Sequence, residues 1–147
     1  MDALVKIKKI YANAILPVKS TEGSAGYDLF AHINEPEEVL PNSLHKISTG
    51  IAIALPHSIV GFIFGRSGLG IKHGIVPSDA VGVIDSDYRG ELFVGICNVS
   101  DKKYTIQPNE RIAQLVLMPY YNAAFSEKDQ LEHTNRGSNG LGSSGKF

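Results

Sequence analysis

Asp85 and Asp87 stand two residues apart in Gly82-Val83-Ile84-Asp85-Ser86-Asp87-Tyr88-Arg89-Gly90, so on extended backbone both carboxylates project from one face. Such a carboxylate can take a proton from water or hold a cation; the plainer reading is a solvated pair in a turn. Arg66-Ser67-Gly68 offers a planar guanidinium fork, a hydroxyl and an open backbone N–H, the donors that grip phosphate oxygens. Alone it is a weak signal, since an arginine in a surface turn ordinarily meets only water. Ala25-Gly26-Tyr27-Asp28-Leu29 supplies another carboxylate, and Arg136-Gly137-Ser138-Asn139-Gly140-Leu141-Gly142-Ser143-Ser144-Gly145 closes the chain. Each segment, with Gly65 to Gly70 among them, reads as a glycine-punctuated loop of the kind that lets backbone approach a phosphorylated ligand.

Two literal motifs in the tail carry nothing. Gly140 to Gly145 spells GxGxxG, but the chain ends two residues later and no βαβ unit can follow. Gly140 to Lys146 spells GxxxxGK, with Phe147 in place of the required hydroxyl residue. The five histidines show neither HxxxH nor His/Cys spacing for zinc.

The elements that must position these residues are strands. At 147 residues the chain has the size of one domain with its own core. His45 to Leu55, Ile59 to Phe64, Glu91 to Val99, Lys103 to Ile106 and Arg111 to Tyr121 are short apolar or alternating runs. Turn signals at Pro41-Asn42, Pro56-His57, Asp101-Lys102 and Pro108-Asn109 bound them. Ala3 to Tyr11 alternates with a period of two, which predicts an edge or exchanged strand with one wet face. No long stretch holds a helical stripe, so the expectation is an all-β sandwich or barrel with little helix. The last fourteen residues contain four Gly and three Ser, too little apolar surface to offset ordering entropy. The expected organisation is therefore a β domain over residues 1–133 and a mobile arm over 134–147, an arm that orders on ligand being preferred to a bland linker.

Net charge is −1, which leaves no broad cationic surface for nucleic acid or an anionic membrane, so neither partner is expected. No apolar stretch approaches the ~20 residues of a spanning helix. One cysteine, Cys97, excludes an internal disulfide and fits a reducing cytoplasm.

In order and spacing, the four loop segments resemble those of the trimeric dUTP diphosphatases (dUTPases), and Arg66 to Gln114 is similar to bacterial members. The match runs from about Ile15 to Lys146. The resemblance implies a distorted jelly roll (β-clip) in a threefold homotrimer that hydrolyses dUTP to dUMP and pyrophosphate with Mg²⁺. It limits uracil in DNA and supplies dUMP for thymidylate synthesis. Asp85 takes the place of the base that activates water against the α-phosphorus, a role that contributes about 10²–10⁴ in rate. Tyr88 takes that of the ring on deoxyribose that excludes a 2′-hydroxyl, a buried core tyrosine being the alternative. A hairpin of Val83-Ile84 with Leu92-Phe93 would read uracil through backbone groups, with Asp79, where similar chains often have Asn, as a weaker member of the pocket. Arg66, Ser67, Gly68 and Gln114 fall at phosphate contacts, and Asp28 at the site that holds magnesium through water. Arg136, Ser143 and Ser144, with Gly142 between, would grip the outer phosphates as the arm closes. Glu110 and Arg111 are read as an interface or turn ion pair. Leu141 departs from the pattern, because an aromatic residue usually stacks over uracil there.

Two other readings share the fold. A dCTP deaminase needs a catalytic Glu that would align with Gly95, and Gly cannot move a proton. A catalytically weak nucleotide-binding or regulatory protein is favoured by Leu141 alone, and Asp85 argues against it.

Overall fold

The computed structural model describes residues 3–141. Its elements are β1 (Lys6–Lys9), β2 (Gly26–Phe30), β3 (Glu37–Val39), β4 (Leu44–Ser48), β5 (Ile51–Ala54), β6 (Ile59–Phe64), α1 (Ser67–His73), β7 (Ile75–Pro77), β8 (Gly82–Ile84), β9 (Phe93–Asn98), β10 (Tyr104–Ile106) and β11 (Arg111–Pro119). All pairings are antiparallel. The strands form a four-stranded sheet β2-β11-β6-β8, a three-stranded sheet β4-β9-β7 and two pairs, β1-β5 and β10-β3. This is the expected all-β, distorted jelly roll. No described helix is long and apolar enough to cross a membrane.

Period-two patterning builds the core. In β9, Val94, Ile96 and Asn98 are buried while Phe93, Gly95 and Cys97 are partly exposed, and Ile47, Ile51, Leu92, Ile106 and Leu29 close the interior around them. Each such aliphatic contributes about 1.5–3 kcal/mol by leaving water. Buried Asn98 is satisfied: its amide donates to the carbonyls of Val39 (2.9 Å) and Lys102 (2.7 Å), and its oxygen accepts from Ser100. Each donor or acceptor of a buried amide left without a partner would cost about 1–3 kcal/mol, as much as one of those aliphatics contributes.

The run His45 to Leu55 is two strands. Gly50 adopts φ +68° and ends β4, which pairs with β9, while β5 turns to pair with β1. A Cβ at Gly50 would stand 2.8 Å from the Ala14 Cβ and 2.9 Å from the His32 ring, so both backbone sterics and packing demand glycine here. The N-terminal alternation yields only Lys6–Lys9, exposed throughout and paired within the same chain. It is an edge strand of a two-stranded pair.

Gly65 to Gly70 is not a loop. Ser67 begins the seven-residue helix α1, with Arg66 extended at its N-cap and Gly74 left-handed at its C-cap. Glycines at 68 and 70 weaken helix propensity by about 1 kcal/mol each, which hid the element. Burial of Leu69 and the cap bond from the Gly74 N–H to the Gly70 carbonyl hold it. Strands β2, β3 and β7 also escaped the sequence reading.

Candidate active site

The chain folds the expected residues into two separate groups. The first surrounds the end of β8. Ile84 pairs with Gly61, so Asp85 emerges one step past the ladder, beside Val60. The Tyr88 N–H donates to the Asp85 carbonyl (3.2 Å), and Arg89 donates to the carbonyls of Ser86 (2.7 Å) and Tyr88 (2.8 Å). These bonds close the loop on itself. The Tyr88 hydroxyl donates to the Glu91 carbonyl at 2.9 Å, and its ring is 42% exposed. It is therefore a surface ring, and the core-tyrosine reading is excluded.

Val83, Ile84, Asp85, Tyr88, Glu91 and Phe93 line a cleft of about 200 Å³. On its other side Asp85 borders a cavity of about 570 Å³ with His57, Val60, Phe62, Asp87 and Tyr120. A single carboxylate thus stands at the junction of an apolar slot and an open space. Phe93 is steadied by the Lys46 ammonium 3.9 Å above its ring. Asp79 is exposed beside Gly82 but is not among the residues lining the cleft.

No β8–β9 hairpin forms. Val83 pairs with Phe62, and Phe93 pairs with Ser48, while β8, the outermost strand of its sheet, keeps its other edge unpaired. Val83-Ile84 and Phe93 still face each other across the cleft, each held from behind by a different sheet.

The second group lies across β2-β11-β6. Register sets Asp28 opposite Gln114 and Gln114 opposite Phe64, so one row leads to Gly65 and Arg66. Asp28 is buried, 7% exposed. One of its oxygens accepts from the Arg66 Nε at 3.0 Å, and the other from the Arg111 Nη1 and the Ser20 Oγ, both at 2.8 Å. Arg66 also donates to the Arg111 carbonyl at 3.1 Å. Gln114 donates to the Gly65 carbonyl at 2.9 Å, which ties the central strand to the turn carrying Arg66. Ser67 and Gly68 are exposed at the start of α1, where the first N–H groups lack intrahelical acceptors.

Among the described residues no three His, Cys, Asp or Glu gather to hold a metal. Asp28 offers about four lone-pair sites, and three donors already engage them. That donor set fits a magnesium ion held through water and by phosphate oxygens, the way this ion usually binds.

Arg136 is exposed, its Nε donating to the Asn139 carbonyl at 3.0 Å, and Leu141 is fully exposed. Gly142, Ser143 and Ser144 lie outside the described residues. Ser20, Arg111 and Glu91 were missed as site residues. Arg111 pairs with Phe30 across β11-β2, and Ser20 follows the isolated Val18–Asp28 bridge. Both signals are strand pairings, which no local motif contains.

The dUTPase family model matches residues 12–145. A deoxyuridine 5′-triphosphate nucleotidohydrolase of Coxiella burnetii is 48% identical over 140 residues, 95% of this chain and 92% of that protein. Among solved structures, a Staphylococcus bacteriophage 80alpha dUTPase mutant with dUpNHpp superposes with a TM-score of 0.87 at 28% identity, covering 97% of this chain and 98% of that one. A mutant dUTPase from phage phi11 of S. aureus, described as coordinating a structural Mg(II) ion, shares the fold with a TM-score of 0.80 at 24% identity over 88% of this chain and 99% of that one.

Proposed function

The chain belongs to the dUTPase family, and on that footing we propose how it works: it is a nucleotidohydrolase that cleaves dUTP to dUMP and pyrophosphate, with Asp85 as general base. The observation that carries the mechanism is the placement of Asp85 between a narrow slot and an open cavity. Uracil and deoxyribose enter the slot, where Val83, Ile84 and Phe93 present backbone to the base and Tyr88 stands against the sugar. The phosphates reach into the open side.

Asp85 accepts a proton from water as the water oxygen bonds to the α-phosphorus. The bond from that phosphorus to the α,β-bridging oxygen breaks, and pyrophosphate leaves with the electron pair. An exposed carboxylate serves this step well, since it can release the proton to solvent afterwards. Arg66, the Ser67 hydroxyl, the open backbone at Gly68 and Gln114 hold the phosphate chain. Magnesium, held through water at Asp28, would neutralise phosphate charge. Asp79 supports the turn before Gly82.

A homotrimer is supported by the separation of the two groups. Arg66 follows Val60, the neighbour of Asp85, by six residues of nearly continuous strand, roughly 20 Å at ~3.3 Å per residue. That separation favours a site in which neighbouring subunits supply the two halves. Arg136, Leu141, Gly142, Ser143 and Ser144, on the arm over 134–147, close from a third. The cytoplasm is the proposed compartment, supported by the single cysteine, Cys97.

Pyrophosphate release tests the reading. With Mg²⁺ present, dUTP should be hydrolysed far faster than UTP, dTTP or dCTP. Comparable rates for dUTP and UTP would remove Tyr88 from discrimination.

A further inference from the structure

Tyr88 does not set its own position. Its ring folds back across the loop so closely that a Cβ at Gly90 would collide with the phenol, and its hydroxyl donates to the Glu91 carbonyl at 2.9 Å. The Glu91 side chain bonds to the corner between β4 and β5. Its Oε1 accepts from the Ser48 hydroxyl and, at 2.9 Å, from the Gly50 N–H. Those two donors sit on the β4–β5 corner, which Gly50 turns in a left-handed conformation packed against Ala14 and His32.

The next residue is fixed as firmly. Leu92 is fully buried, its N–H donates to the Ile51 carbonyl (2.8 Å), and its carbonyl accepts from the Thr49 N–H (3.2 Å) and hydroxyl (2.6 Å). The peptide whose oxygen receives the Tyr88 hydroxyl is thus held at its N–H by the Ile51 carbonyl, and the Glu91 carboxylate is the second anchor, fixing the Cα on the other side of that carbonyl. A charge-assisted pair of hydrogen bonds is strong enough to hold that peptide against loop motion.

We propose that Glu91 is a positioning residue for sugar discrimination, clamping the Tyr88 ring to the β4–β5 corner through Ser48 and Gly50. This rests on the reading of Tyr88 as the ring that excludes a 2′-hydroxyl. Loss of the clamp lets the ring withdraw from the slot, so a ribonucleotide gains more than a deoxyribonucleotide does. The expected signature is a change in selectivity and in the KM for UTP, with the turnover of dUTP less affected, which general destabilisation would not produce.

The test is the ratio of kcat/KM for dUTP over UTP in the intact protein and in Glu91→Ala, Glu91→Gln, Ser48→Ala and Tyr88→Ala. Glu91→Ala should lower the ratio about tenfold, and Ser48→Ala should lower it less. Glu91→Gln should stay within about twofold of the parent, because an amide oxygen accepts the same two hydrogen bonds. Should Glu91→Ala fail to fold, Ser48→Ala and Glu91→Gln decide. A parental ratio in the Glu91 and Ser48 alanine variants, beside a collapsed ratio in Tyr88→Ala, overturns the clamp and leaves the Tyr88 reading standing. A parental ratio in Tyr88→Ala overturns both.

Discussion

Asp85 and Arg66 are served by the same strand yet lie at its two ends, Asp85 beside Val60 and Arg66 two residues beyond Phe64. The strand that positions both also keeps them apart. On the proposed reading, a catalytic site that uses both is completed by other copies of the chain.

Mixed trimers should reveal this arrangement. Asp85→Asn should keep nucleotide binding and lose at least about 10²-fold in turnover, and Arg66→Ala should lose activity through its phosphate grip. Denatured together in equal amounts and refolded, the two inactive variants should regain about a quarter of parental activity, the share of sites that draw an intact residue from each neighbour. No recovery on mixing, measured by pyrophosphate release, would place both residues in one chain's site.

Asp28 separates two guanidiniums, so Asp28→Asn leaves Arg66 and Arg111 facing each other with less compensation. Both arginines are partly exposed, which lets water absorb some of the cost. A loss of about 1–3 kcal/mol in denaturant unfolding is expected, together with a raised KM for dUTP. An unchanged KM would separate Asp28 from the phosphate site.

Truncation after Asn135 removes Arg136 and Leu141 but no strand among the described residues, since β11 ends at Pro119. Size-exclusion chromatography should show an unchanged assembly while hydrolysis collapses, because the outer phosphates lose a guanidinium partner. Leu141→Phe should tighten dUTP binding by up to roughly 1–3 kcal/mol of base stacking and leave the single-turnover rate nearly unchanged. Full activity in the truncated protein would exclude a closing arm.

Burial, and then the Glu110 carboxylate beside it, push the Tyr104 hydroxyl up to about 12 from 10. The folded protein therefore keeps a proton that the unfolded chain releases, so this stabilisation is complete below pH 10 and disappears as pH rises toward 12. Tyr104→Phe removes the titrating group and its bond to Glu110. The variant should start less stable at neutral pH and lose less between pH 10 and 12. Parallel declines in melting temperature would refute the assignment.

The sequence by itself determined what can be written in short stretches. Period-two burial in β9, the exact limits of β6 and the loop order around Asp85, Tyr88 and Arg66 all follow from neighbours a few residues away. Only the tertiary structure decided what depends on which strands pair. Two glycines concealed α1, whose stability comes from burying Leu69. In place of the expected hairpin, β8 pairs with β6 and β9 with β4, strands distant in sequence. Arg111 and Ser20 converge on Asp28 across 83 and 8 residues of chain, and Glu91 reaches Ser48 and Gly50 over more than forty positions. Such contacts are fixed by backbone ladders and a shared core. Their energy depends on distance in space, which no local spacing records.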